Sequence, residues 1–159
     1  MNPTPPFEKI LSVSAIKEGT VIDHIAMGNA LKILRLLKLS EQGICVTVGL
    51  NLKSRSMGVK DLIKLESFFL SSAQAAQIAI FAEQATINVI ENYKVAKKFQ
   101  VEMPEVIRSV LVCPNPHCIT RFESIQTLFL VEEHLNSVLL RCRYCEKLFS
   151  RDAVNEKQM

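Results

Sequence analysis

The sequence predicts an α+β chain in two parts. Residues 1–101 read as an antiparallel sheet of split βαβ (ferredoxin-like) topology with two helices on one face. Residues 102–159 read as a small β-rich module organised around cysteines. Three observations predict this. Apolar patterns in the first part follow the order strand, helix, strand, strand, helix, strand. The pattern breaks around Gln100–Pro104. Four of the five cysteines lie beyond the break in two tight pairs, VCPNPHC (Val112–Cys118) and RCRYCEK (Arg141–Lys147).

After the proline-rich start MNPTPPFEK, Lys9–Ile16 reads as a largely buried strand, ended by the turn-forming Lys17-Glu18-Gly19. A short apolar run, Val21–Ile25, follows. Ala26–Leu39 carries apolar residues at Met27, Ala30, Leu31, Leu34 and Leu37 with Lys32, Arg35 and Lys38 between them, which predicts an amphipathic helix with cations toward its C-terminal end. Cys45–Leu50 is rich in β-branched residues and reads as a strand, with Cys45 in the core. The turn-rich Lys53–Gly58 leads to a strand over Lys60–Phe68. Ser71 and Ser72 offer N-caps for the alanine-rich helix AQAAQIAIFA. Thr86–Ile90 returns as a strand, and Tyr93–Lys98 continues it. Past the break, Pro104 favours a short helix over Glu105–Ser109.

Composition limits what the chain can be. Of 159 residues, 48% are hydrophobic and 22% charged, so the chain should bury a core rather than stay disordered. Its start has no apolar stretch behind a basic one, and no apolar run nears the ~20 residues of a membrane span. The expectation is a cytoplasmic protein, and in that reducing compartment paired cysteines more often hold metal than form disulfides. No phosphate loop, dinucleotide fingerprint, nucleophile elbow or H-E-x-x-H sequence is present, and the three histidines (His24, His117, His134) assemble no catalytic constellation.

The cysteine pairs are the strongest local signal. Four residues separate Cys113 from Cys118, two separate Cys142 from Cys145, and twenty-three lie between the pairs. Each tight turn offers two thiolates to one edge of a tetrahedron, and together they match structural zinc knuckles. Pro114, Asn115 and Pro116 favour the first turn. Disulfides or inert thiols are the alternative reading; the double-pair spacing favours one Zn²⁺ per chain. Four cysteine ligands leave no position for water, so the site is structural and the module zinc-ribbon-like. A module this small buries little core, so metal binding supplies much of its folding free energy.

Charge separates the function classes. The net +3 divides into twelve Lys or Arg against eight Asp or Glu over residues 1–101, and seven against eight over 102–159. A zinc-ribbon nucleic-acid binder should concentrate cations at its knuckles; here the basic excess lies on the first part, at Lys60, Lys64, Lys94, Lys97 and Lys98. A solvated lysine face is one explanation. Lysines near the ends of neighbouring strands can also converge on a phosphate chain, and Asp23-His24 offers a carboxylate beside a phosphate donor. A structural Asp–His hydrogen bond stays open as the other reading.

The segments AIKEGTVIDHI, VTVGLNLKSRSMGVKDLIK, QATINVIENYKV and VLVCPNPHCIT…RCRYCEKLF, in order over nearly the whole length, resemble the regulatory chain of aspartate carbamoyltransferase. The resemblance implies a non-catalytic subunit whose N-terminal domain binds CTP, ATP and sometimes UTP, and whose zinc domain docks on the catalytic chain. It implies pairing of these chains through their N-terminal domains, bridging two catalytic trimers in pyrimidine biosynthesis. It places the nucleotide among Val13, Ser14, Ala15 and Ile16, with Asp23 facing the ribose and His24 the phosphates. Lys64 contacts ribose and base beside Leu62, and Asn88, Tyr93, Val95 and Lys98 close the site, Lys98 as the main phosphate cation. Lys60 is the candidate for a second nucleotide or a metal-bridged phosphate. Two positions depart from the family: Ser14 stands where an acid is frequent, and Glu83 where a proline is common before QATIN.

Overall fold

The computed structural model describes residues 13–157. Five strands form the first sheet: β1 (Gly19–Ile25), β2 (Val46–Ser54), β3 (Gly58–Glu66), β4 (Thr86–Glu91) and β5 (Lys94–Gln100). Their order is β2-β3-β1-β4-β5 with every neighbour antiparallel. The first four give the order that a split βαβ requires, and helices α1 (Ala30–Leu36) and α2 (Ser72–Phe81) lie together on one face. The Lys32 ammonium stands 5.6 Å from the centroid of the Phe81 ring, joining the two helices. The core between helices and sheet is built from Ile22, Ile63, Leu65 and Ile87 below and Ile33 and Ile78 above, all essentially inaccessible.

Local chemistry explains the departures from expectation. The opening strand expected over Lys9–Ile16 lies partly outside the described residues, and Val13–Ile16 carries no strand. The sheet instead starts at Gly19, whose φ is +131° and where a Cβ would sit 1.9 Å from the Leu65 carbonyl oxygen. The run Val21–Ile25 is thus part of the central strand. Its apolar residues fit because the β1–β3 register shifts between Ile22 and Ile25, with His24 at φ 58°. The extra residue lets Ile22 and Ile25, three apart, both face the core.

Helix α1 is shorter than the apolar pattern suggests. Gly28 (φ +88°) precedes it, and the buried Asp61 carboxylate on β3 accepts the N–H groups of Gly28 (2.9 Å) and Ala30 (3.4 Å), taking the place of a local cap. Lys38 turns left-handed after the end. Ala30, Ile33 and Leu37 face the core, while Met27 and Leu31 are exposed. Helix α2 starts where expected, at Ser71, whose hydroxyl accepts the Gln74 N–H while the Gln74 side chain accepts the Ser71 N–H. Tyr93–Lys98 does not continue β4. Asn92 and Tyr93 both have positive φ and form a two-residue hairpin turn, so β5 folds back as a separate edge strand.

The second part is β6 (Val106–Arg108), β7 (Leu111–Val112), β8 (Leu128–His134), β9 (Ser137–Cys142), β10 (Leu148–Ser150) and β11 (Asn155–Glu156). One sheet has the order β10-β9-β8-β6, and β7 pairs with β11. The helix expected at Glu105–Ser109 is strand β6: the β-branched Val106-Ile107 pairs with β8, and Ile107 is buried opposite Phe129. Cys45 is exposed rather than in the core, since it sits just ahead of the edge strand β2. The nearby Glu66 carboxylate pushes its thiol pKa up.

Replacing Ile22 with Ala removes side-chain volume from a fully buried site and should cost about 2–4 kcal/mol in denaturant unfolding. Leu31→Ala, on the exposed side of α1, should stay within about 0.5 kcal/mol. Equal costs would mean that α1 packs in another phase.

Candidate functional site

The two cysteine pairs arrive from different elements. Cys113 follows β7, and Cys118 precedes the 3-10 turn Ile119–Arg121. Cys142 ends β9, and Cys145 lies in the turn to β10. All four sulfurs fall within 4.8 Å of one another. Cys113 Sγ is 3.7 Å from Cys145 Sγ, and Cys118 Sγ is 3.8 Å from Cys142 Sγ. A disulfide needs about 2.05 Å, whereas a tetrahedron with metal–sulfur bonds of about 2.3 Å has edges near ~3.8 Å. The donor set fits a metal ion, and Cys113, Cys118 and Cys142 are buried.

Surrounding groups shape this cluster. The second knuckle is closed by Glu146 in the left-handed region, with hydrogen bonds from its N–H to the Cys142 carbonyl (2.9 Å) and from the Cys142 N–H to the Lys147 carbonyl (3.0 Å). In the first, Asn115 Oδ1 accepts the His117 N–H at 3.1 Å. Thr120 Oγ1 lies 3.2 Å from Cys118 Sγ, and Arg121 donates to the Cys113 carbonyl at 3.3 Å. Burial pushes the Cys113 and Cys142 thiols up, against the backbone N–H groups that favour thiolate. At Cys145 burial also opposes ionisation, but the Lys147 N–H and the Asn115 side chain outweigh it and bring the thiol to about 7. Four thiolates cannot share this volume without a cation to balance them.

The other candidate residues lie on the sheet face away from the helices. Cross-strand register builds a row there: Thr47 opposite Lys64, Lys64 opposite Val21, Val21 opposite Asn88, and Asn88 opposite Lys98. Residues directly opposite share a face, so Lys64, Asn88 and Lys98 stand side by side across four strands. Lys60 and Leu62 alternate with the core residues Asp61 and Ile63, which puts them on the same side as Lys64.

Val13–Ile16 crosses this face. The Lys64 ammonium donates to the Val13 carbonyl at 3.2 Å and to the Ser14 carbonyl. The Val13 side chain stands so near Gly49 that a Cβ there would be 3.3 Å away. Ser14 and Ala15 are exposed, and Ile16 is buried. Burial lowers the Lys64 pKa, partly offset by the negative charge of Asp23. Asp23 is already engaged by the Lys60 ammonium at 2.6 Å. Burial opposes its ionisation, but Lys60 and the His24 N–H (2.7 Å) outweigh that and hold its carboxyl below the usual range. Tyr93, Val95 and Lys98 are exposed at the β5 side, where the Tyr93 N–H donates to the Lys17 carbonyl at 3.0 Å.

His24 stands apart. It lines a small cavity of about 160 Å³ with Met57, Phe81, Glu83 and Gln84 at the C-terminal end of α2. Its Nδ1 is 3.7 Å from Asp23 Oδ2, beyond hydrogen-bond range. Another cavity, about 660 Å³, opens on the helix side between Phe69, Ser72, Lys97, Phe99 and Met103, and none of the expected nucleotide residues lines it. Sequence reasoning overlooked Asp61 and Thr120. Asp61 also accepts the Asn51 N–H at 3.0 Å, so it fixes the β2 bend and the α1 start together. An acid in the same alternation as the apolar Ile63 and Leu65 was its only signal.

Fold and site together define a two-part chain: a split βαβ sheet with an open polar face, joined to a four-cysteine metal module. Residues 11–102 match the family model described as the aspartate carbamoyltransferase regulatory chain, allosteric domain, and residues 105–155 match its metal binding domain. Similar proteins carrying that regulatory-chain name occur in Chromobacterium violaceum (50% identical, covering 91% of this chain and 95% of that protein) and Photobacterium profundum (48%, 94% and 97%). Another occurs in Vibrio cholerae (47% identical, 94% of this chain and 96% of that protein). The chain belongs to the aspartate carbamoyltransferase regulatory chain family and is a non-catalytic subunit, which implies a catalytic chain as its partner. Among the described residues no helix is long and apolar enough to cross a membrane.

The cluster predicts one metal ion per chain with only sulfur ligands. Elemental analysis should give a stoichiometry of one, lost in Cys113→Ser. Metal-free protein with an intact second sheet would contradict it.

Proposed function

We propose that residues 1–101 bind the nucleotides CTP and ATP, and UTP as some members of the family do, on the sheet face away from the helices, and that residues 102–159 hold Zn²⁺ through Cys113, Cys118, Cys142 and Cys145 and dock on the catalytic chain. The observation that carries this is the row Lys64, Asn88, Lys98: two cations and an amide on one sheet face, Lys98 exposed and Lys64 buried against the Val13 and Ser14 carbonyls, a spacing that suits a base and sugar at one end and phosphates at the other. Lys98 takes the phosphates. Lys64 and Leu62 face ribose and base, with the Val13–Ile16 backbone as a rim that Lys64 holds in place. Asp23 accepts from the ribose, and Lys60, now paired with it, is released toward a further phosphate or metal-bridged nucleotide. Tyr93 and Val95 close the far side. His24 reaches phosphate only by leaving its cavity, so its part follows binding rather than preceding it.

Docking is supported by apolar side chains around the knuckles. Ile119, Phe122 and Tyr144 are 45%, 74% and 42% exposed, an apolar group that a partner would cover. A nucleic-acid role for the zinc module is less well supported, because Arg141 is bound by Glu132 (3.1 Å from Nη2) rather than free for phosphate. Among the described residues β2 leaves one sheet edge open, a surface through which two such chains can pair in the cytoplasm before bridging catalytic trimers.

Lys98→Ala and Lys64→Ala should each weaken CTP and ATP binding by about 1.5–3 kcal/mol in titration calorimetry, the loss of a charge-assisted hydrogen bond. Asp23→Ala should reduce discrimination at the sugar more than at the phosphates. Unchanged affinities in both lysine variants would put the nucleotide elsewhere. The chain alone should show no carbamoyltransferase activity, and adding it to catalytic trimers should make theirs respond to nucleotides.

A further inference from the structure

Two ion pairs fasten the end of the chain to the first sheet's helical side. Arg35 on α1 pairs with Glu156 on β11. Glu83, in the loop between α2 and β4, pairs with Arg151 at 3.2 Å. Glu156 is buried, and Arg35 with Lys32 keeps its carboxyl ionised against that burial. Packing here is thin. Within Arg151–Glu156 the apolar anchor is Val154, and a cleft of about 470 Å³ opens beside it between Arg35, Val112, Pro114, Arg121 and Asn155. The position of this segment therefore depends on charge more than on a dry core.

That segment touches both candidate sites. Asn155 and Glu156 pair with Val112 and Leu111, the residues that lead directly into Cys113. At its other end, Arg151 holds Glu83, which shares the small cavity with His24.

We propose that Arg35–Glu156 and Glu83–Arg151 form an ionic clasp that sets how the nucleotide face and the metal centre sit together, and that regulation passes through it. The clasp rests on the regulatory reading above. A half-exposed pair contributes little to folding stability. It can still bias two arrangements of nearly equal energy, because a small difference in interaction shifts their populations severalfold.

The test uses holoenzyme assembled from the full chain and catalytic trimers. Glu83→Gln and Arg151→Gln should each reduce the CTP response about two- to fivefold, with metal content and CTP affinity of the free chain unchanged. The double variant should lose no more than either single one, and the reversed pair, Glu83→Arg with Arg151→Glu, should regain the response. A full response in the single variants, or additive losses in the double, would overturn the clasp. A wild-type holoenzyme indifferent to CTP would overturn the regulatory reading instead. The clasp then stands on amide exchange of the chain itself: Arg35→Gln with Glu83→Gln should speed exchange at the Lys157 N–H, which bonds the Val110 carbonyl, and unchanged exchange would refute it.

Discussion

Four sulfurs within 4.8 Å form the metal-binding cluster on which the C-terminal part of this molecule depends. Beyond residue 102 the fully buried apolar side chains are few, chiefly Leu111, Phe129, Leu140 and Val154, and the strands are short. Such a unit gains too little from burial to offset its conformational entropy. A cation bridging Cys113 and Cys118 to Cys142 and Cys145 joins the β7 end to the β9–β10 turn, two regions that share no strand pairing. It also balances thiols that burial would otherwise keep protonated.

The first sheet solves a different problem. Its helical face supplies the core, so its other face is free to carry lysines without any loss of packing. The bulge at His24 keeps Ile22 and Ile25 on the core side while Asp23 stays within reach of Lys60. Asp61 is tied to three backbone N–H groups and stiffens the β2 bend and the α1 start around that bulge. Binding chemistry on one face and packing on the other share a strand but not a surface. On the proposed reading, a signal from nucleotide to catalytic chain is a coupling free energy between separate sites.

What was readable in the sequence follows the range of the interaction. The cysteine pairs and the Ser71 cap depend on residues within a few positions, and both lie where spacing and residue type put them. The split βαβ order followed from the alternation of patterns, although its first strand was expected at Lys9–Ile16 and lies at Gly19–Ile25. Features set by distant partners were not readable. The start of α1 depends on Asp61 from β3, the strand at Val106–Arg108 on its pairing with β8, and the exposure of Cys45 on β2 being an edge. Positive φ at Asn92 and Tyr93, neither of them glycine, hid the hairpin that separates β4 from β5. Charge placement singled out Lys64 and Lys98, and the family resemblance added Asn88, but only the register brings the three into line.

On the proposed function, the metal module transmits what the sheet senses. The most direct measurement compares wild-type and Cys142→Ser chains for CTP binding by calorimetry and for CTP response after mixing with catalytic trimers. The variant should bind CTP with wild-type affinity and leave the trimers unregulated. A variant chain that regulated normally would contradict it.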